Sequence, residues 1–149
     1  GMQSIDMLRQ LAVFDRERIE HAVVQHNQLR LTGNFDGMTE YYSEHAVLEL
    51  LGSPRQFMYA GIYAGVAQVI SAFKQMRTDV EFLTSDITEL LIDHDRAMMR
   101  CHVNVRHRGT GLAVSQEIWD LFRFEEGLIS HQTKMIDVSA FRKMSSGRS

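Results

Sequence analysis

Asp120 lies inside the stretch "EIWDLFRF", residues 117–124, where two phenylalanines, a tryptophan and an isoleucine surround a single aspartate. In an extended strand successive side chains point to opposite faces, so Ile118, Asp120, Phe122 and Phe124 share one face and Glu117, Trp119, Leu121 and Arg123 the other. The carboxyl falls on the more apolar side, which is costly unless something pairs with it, protonates it or uses it. A second titratable group is placed in a similar way: His26 lies on an apolar helical stripe with Ile19, Ala22, Val23, Leu29 and Arg30. An imidazole takes up a proton near neutral pH, and a carboxyl in an apolar cavity can be raised until it donates one. Such a pair suits proton abstraction next to a carbonyl, with the enolate oxygen stabilised by a neutral donor.

A purely structural alternative is equally concrete. With Phe124 opposite Leu128 across the turn "EEG", Asp120 faces Gln132 and has Ser130 and Lys134 on its diagonals, on the same inner face. Asp120 is then a buried acid satisfied by Gln132 and paired with Lys134, and His26 a satisfied core histidine; neither does chemistry.

These residues need elements to position them. The pattern predicts a short amphipathic helix from Ile5 to Phe14, then a longer one ended by Gly33 and Asn34. A third short helix, Asp36 to Ser43, leads into "HAVLELL", and Ser53-Pro54 breaks the chain before "QFMYA". Val66, Val69, Ile70, Phe73 and Met76 mark the face of another helix, entered through the glycines of "AGIYAG". After Thr78 the period changes from helical to alternating. Strands are expected at about 80–91, 97–107, 113–124 and 128–138, joined by the turns "IDHD", "RGTG" and "EEG" as antiparallel hairpins. Helices followed by a meander imply an α+β fold, in which the helices close the concave face of a curved, cone-shaped antiparallel sheet. By parity Met99, Cys101, Val103 and Val105 face inward, against Met98, Arg100, His102, Asn104 and Arg106. Trp119 and Leu121 then lie outside, on a face apolar enough to expect a second subunit over it, as a homodimer.

The chain of 149 residues suits one domain, expected over residues 2–141, with a flexible tail at 142–149 and with Gly1 as the scar of a cleaved tag. A hydrophobic fraction of 44% and a charged fraction of 23% are those of a globular protein, and a net charge of -3 gives no reason to expect nucleic acid or an anionic membrane as partner. Without a membrane-spanning run or signal-peptide layout, a cytoplasmic location is expected. One cysteine rules out an internal disulfide. The seven histidines form no HExxH or HxH pattern, and no GxxxxGK loop is present, so neither a metal nor another cofactor is implied.

The order of these elements resembles the nuclear transport factor 2-like superfamily, which includes ketosteroid isomerases, SnoaL-like polyketide cyclases and limonene-epoxide hydrolases. The stretches that carry the resemblance are "LTGNFDGMTEYYSEHAVLEL", "YAGVAQVISAF" and "IWDLFRFEEGLISH". It implies that Asp120 matches the strand aspartate that the isomerases hold protonated as a donor to an oxyanion and that the cyclases use as an acid/base, and that His26 falls where the isomerases place a hydrogen-bonding tyrosine. It also shows departures: Leu50 stands where the isomerases have their proton-abstracting aspartate, with Glu49 on the opposite face, and Ile118 and Lys134 stand where the epoxide hydrolases have an arginine and an aspartate. The implied function is a cofactor-independent isomerase, cyclase, dehydratase or hydrolase acting on a small, mainly apolar carbonyl compound. Its expected catalytic residues are Asp120 and His26; its expected substrate-binding residues are Cys101, Val103, Val105, Ile118, Phe122, Gln132, Lys134, Tyr42 and Phe73. The alternative is a module of the same fold that binds a hydrophobic ligand or a protein without chemistry, using residues such as Trp119, Arg100 and His102 in the second case.

Overall fold

The computed structural model describes residues 2–147, and the side chains of 3–11 and 15–147 within them. Gly1, expected as the scar of a tag, and residues 148–149, expected as the end of a flexible tail, lie outside the described residues. The chain opens with one helix where two were expected. α1 runs without interruption over Met2–Thr32, because nothing in the polar run Asp15 to Arg18 is a glycine or proline that would break it. Among its described side chains the buried ones lie in the second half, Ile19, Ala22, Val23, His26, Asn27 and Arg30, while Ile5, Leu8 and Leu11 are exposed. Gly33 ends it in the left-handed region at φ 76°, and the amides of Gly33 and Asn34 donate to the carbonyls of Arg30 and Leu29 at 3.2 and 2.9 Å.

A 3-10 turn, Asp36–Tyr41, replaces the expected short helix and feeds β1, Tyr42–Leu50. The "GIYA" stretch, expected as a helix entry, is instead a short strand, β2 (Gly61–Ala64), antiparallel to β1 with Leu48 opposite Tyr63. The β-branched and aromatic pair Ile62-Tyr63 favours this extended conformation. α2, Val66–Asp79, buries Val69, Ile70, Ala72 and Phe73. Four strands follow: β3 (Val80–Asp93), β4 (Arg96–His107), β5 (Ala113–Glu125) and β6 (Leu128–Ile136). They match the expected bounds to within two residues, since alternation is easily read where one face is buried and the other wet. The chain then forms a helix, α3 (Val138–Ser146), whose N-terminus is capped by the Asp137 carboxylate accepting from the Ala140 amide at 3.0 Å. Arg142 to Ser146, expected as tail, are its second half, anchored by the buried Met144 beside Phe141.

The sheet order is β2-β1-β6-β5-β4-β3. All neighbours are antiparallel except β1 and β6, which run parallel, so the sheet is mixed at this one place. It curves into the α+β cone, with α1 packed across β3 and β4 and α2 against β1. Met99, Cys101, Val103 and Val105 face the interior, as do Ile118, Asp120, Phe122 and Phe124.

The register of the last hairpin differs from expectation. Asp120 lies opposite Lys134, and Phe122 opposite Gln132. Two causes each move the pairing by one residue. The turn has only two residues, Glu126 and Gly127 at φ 51° and 79°, as a type I′ turn requires; and the register shifts again between Arg123 and Phe124.

Candidate active site

Asp120 is fully buried at the middle of β5, where three donors converge on it. Lys134 Nζ donates to Oδ1 at 2.6 Å, Gln132 Nε2 donates to the same oxygen at 2.9 Å, and Arg30 Nη1 donates to Oδ2 at 3.3 Å. The pairing of Asp120 with Gln132 and Lys134, one of the two readings left open by the sequence, is the arrangement found. Arg30 is the addition. It occupies the apolar stripe of α1 one turn beyond His26, and it also donates through Nη2 to Asn27 Oδ1 at 3.1 Å and to Ser85 Oγ at 3.3 Å. Its guanidinium lies 5.0 Å from the centre of the Phe82 ring. The signal for it was present in the sequence: an arginine on an apolar helix face poses the same question as an aspartate on an apolar strand face.

His26 belongs to this cluster without touching Asp120. Gln132 stands between them, its Nε2 3.2 Å from His26 Nε2, and the amide is oriented by the Tyr42 hydroxyl, which donates to Gln132 Oε1. The imidazole is boxed in by Phe73, Phe122 and Tyr42, with ring centres 5.7, 5.4 and 6.2 Å away. No substrate fits between the two expected catalytic groups, because Gln132 fills the gap.

The charges follow from this geometry. Burial pushes the Asp120 carboxyl up, but Lys134 and Arg30 outweigh it and hold the group at about 2, so it is an ionised acceptor and not a protonated donor. Burial pulls the Lys134 ammonium down, against the opposing pull of Asp120, to about 8. Burial and then the Lys134 charge push His26 well below its ordinary value, which makes it a neutral imidazole. Burial and then Asp120 push the Tyr42 hydroxyl well above its ordinary value.

Beside this cluster opens a cavity with about 70 Å³ of space for the centre of a water-sized sphere, inside an atom-free envelope of about 680 Å³ that reaches solvent. Of the residues expected to bind substrate, Val105, Ile118, Phe73 and Lys134 line it. Cys101, Val103, Phe122, Gln132 and Tyr42 do not, although all are buried, and Asp120 and His26 are also absent from the wall. The reason is the size of the intervening heads: Arg30 and Lys134 reach the cavity and put the acid behind them. The sequence reading did not identify Arg30, Arg77 and Gln116, the polar additions to the wall, nor Phe57, Tyr59, Phe141 and Met144 from the loop after β1 and from α3. Among the described residues no group of three His, Cys, Asp or Glu side chains is placed to hold a metal ion, and no helix is long and apolar enough to cross a membrane.

The fold and this buried cluster can be set beside known proteins. Among curated proteins none matches. Solved structures do, at identities that speak for the fold alone. A Bacillus subtilis protein superposes with a TM-score of 0.80 at 15% identity, over 89% of this chain and 96% of that one. An epoxide hydrolase of M. tuberculosis, of the LEH-like type, gives 0.66 at 17% identity, over 85% and 89%. A protein from Catenulispora acidiphila with a ketosteroid isomerase-like fold, in complex with trimethylamine, gives 0.72 at 11% identity, over 84% and 92%. The family model of the SnoaL-like domain matches residues 23–132, from the buried half of α1 to Gln132. The chain belongs to the SnoaL-like domain family, within the nuclear transport factor 2-like superfamily.

Proposed function

We propose that the protein is a cofactor-independent acid/base enzyme, an isomerase, cyclase, dehydratase or hydrolase, acting on a small, mainly apolar carbonyl compound held in the cavity. The observation that carries this reading is Lys134: a buried amine on the wall of an apolar cavity, held near 8 and so able to exchange its proton close to neutral pH. In its neutral form the amine accepts the proton from the carbon next to the carbonyl; the electron pair moves onto the oxygen, where the Arg30 guanidinium on the same wall stabilises the enolate. Return of the proton to another carbon completes an isomerisation. Asp120 and His26 act here as positioning residues. Asp120 sets the proton affinity of Lys134 and anchors Arg30, and His26 supports Asp120 through Gln132.

The test is deuterium exchange at the α-carbon of a panel of cyclic and aryl ketones, followed by NMR. The wild type accelerates exchange of at least one member, and Lys134→Met slows it roughly 100-fold or more, the usual contribution of a positioned base. Exchange in Lys134→Met as fast as in the wild type refutes the assignment. A second reading has its own support: with three donors, Asp120 is fully satisfied, as in a structural ion pair. The same cavity then holds a ligand without chemistry, and binding occurs with no exchange.

We also propose that a second copy of the chain covers the outer face of the sheet, where Leu121 and Met135 are about half exposed beside Trp119, whose ring carries the Arg100 guanidinium at 4.8 Å.

A further inference from the structure

The cavity wall carries more positive charge than its surroundings answer. Arg30, Arg77 and Lys134 all line it, and among the described lining residues none is acidic. Behind the wall a single carboxylate, Asp120, serves both Lys134 and Arg30. His26 is neutral and adds nothing to the balance. Asp79, at the end of α2, is not part of the wall and forms no ion pair with Arg77 among the described residues; it accepts from the Tyr59 hydroxyl, while Glu81 pairs with Arg106 and Arg108. Among the described residues three buried side-chain nitrogens are without a partner, and two of them belong to residues of the wall; the third, His26 Nδ1, lies away from it. Arg30 Nε, in a side chain almost wholly buried, and Arg77 Nη1 have no hydrogen-bond partner. Leaving such groups unpaired away from water costs free energy, and guanidinium donors match the two oxygens of a carboxylate. The rest of the wall is almost wholly apolar, with the rings of Phe35, Phe57, Phe73, Phe82 and Phe141.

We infer that the cavity takes a small organic monoanion, an aromatic or alicyclic carboxylate whose charged end meets Arg77 and the unpartnered Nε of Arg30 and whose ring lies among the phenylalanines. Its presence halves the excess of positive charge left after Asp120 and gives the leftover donors an acceptor. The free space limits the body to about one ring. The inference builds on the proposed function, for it narrows the carbonyl substrate to one that also bears an acid group; yet it is a statement about binding and is read without turnover.

Calorimetric titration at pH 7 compares benzoate and cyclohexanecarboxylate with benzamide and cyclohexanecarboxamide, which keep the shape and lose the charge. The acids bind roughly tenfold or more tighter than the amides, as expected for hydrogen bonds to a charged group. Arg77, partly exposed and outside the Asp120 cluster, is the residue to vary. Arg77→Met weakens the acids roughly tenfold and leaves the amides unchanged, while Arg77→Lys keeps most of the preference; circular dichroism of each variant establishes that it is folded. Equal binding of acid and amide, binding of neither, or an unchanged acid affinity in folded Arg77→Met overturns the inference. Acid preference without α-carbon exchange removes the catalytic reading and leaves this one standing. Exchange of neutral ketones without acid preference does the reverse.

Discussion

Lys134 is pulled in two directions. Burial favours its neutral form, while the carboxylate 2.6 Å away favours the charged one, and the balance near 8 leaves both forms populated at ordinary pH. If the neutral form is the base, the exchange rate rises with pH and levels off above about 8. In Asp120→Asn the group that raises the lysine is gone, so the midpoint moves to lower pH, and a pH–rate profile of the two proteins checks this. Stability follows the same values. Asp120, at about 2 against an ordinary 3.8, contributes stability that is present above pH 3.8 and is lost as pH falls through 2. Lys134, at about 8 against 10.5, is charged in the unfolded chain and neutral in the folded one between those values, so its contribution rises with pH across that window. Urea unfolding at a series of pH values measures both. At neutral pH Asp120→Asn leaves two buried cations without their acid and costs ~3–5 kcal/mol. The double variant Asp120→Asn, Lys134→Met costs less than the sum of the single ones. At this scale the sequence made Asp120, Lys134 and Gln132 legible as an inner-face group, because one acid among apolar neighbours demands a partner. Arg30 was on the same helical stripe in plain view, but periodicity counts positions and does not say that a long cation will cross the core to an aspartate ninety residues away.

Among the elements, those with a regular period were readable: the four long strands and α2. What failed was local and had local causes. β2 is only four residues long, too short for alternation to show. The polar composition of α3 concealed a helix held by two side chains, and the register of the last hairpin depended on a turn with two left-handed residues and a bulge. α3 lends itself to a test, because it contributes Phe141 and Met144 to the cavity wall. Met144→Ala removes a fully buried side chain and costs ~2–5 kcal/mol in urea unfolding, according to how far the site collapses. The end of α1 offers another. A Cβ on Gly33 would lie 2.3 Å from Arg77 Cζ, at a φ that side chains resist. Gly33→Ala therefore costs ~1–2 kcal/mol in backbone strain alone, and it pushes the guanidinium aside, so acid binding weakens as well.

At the scale of the whole molecule, the proposed dimer can be tested at the outer sheet face. Light scattering is expected to give the mass of two chains, and Leu121→Glu, which places a charge at the middle of that face, to give the mass of one; a monomeric wild type at micromolar concentration removes the dimer. A different consequence follows from the parallel pairing of β1 with β6. The first long strand to be synthesised waits for the last, and its neighbour on that side arrives only after β2 to β5 have been made. Until then Arg30 and Asp120 have been made but Gln132 and Lys134 have not, so the ionic knot at the centre is tied only once β6 is present. Contacts this distant along the chain slow the search for the native state. A nascent chain halted before Leu128 has neither the strand that joins β1 to β5 nor its second cation.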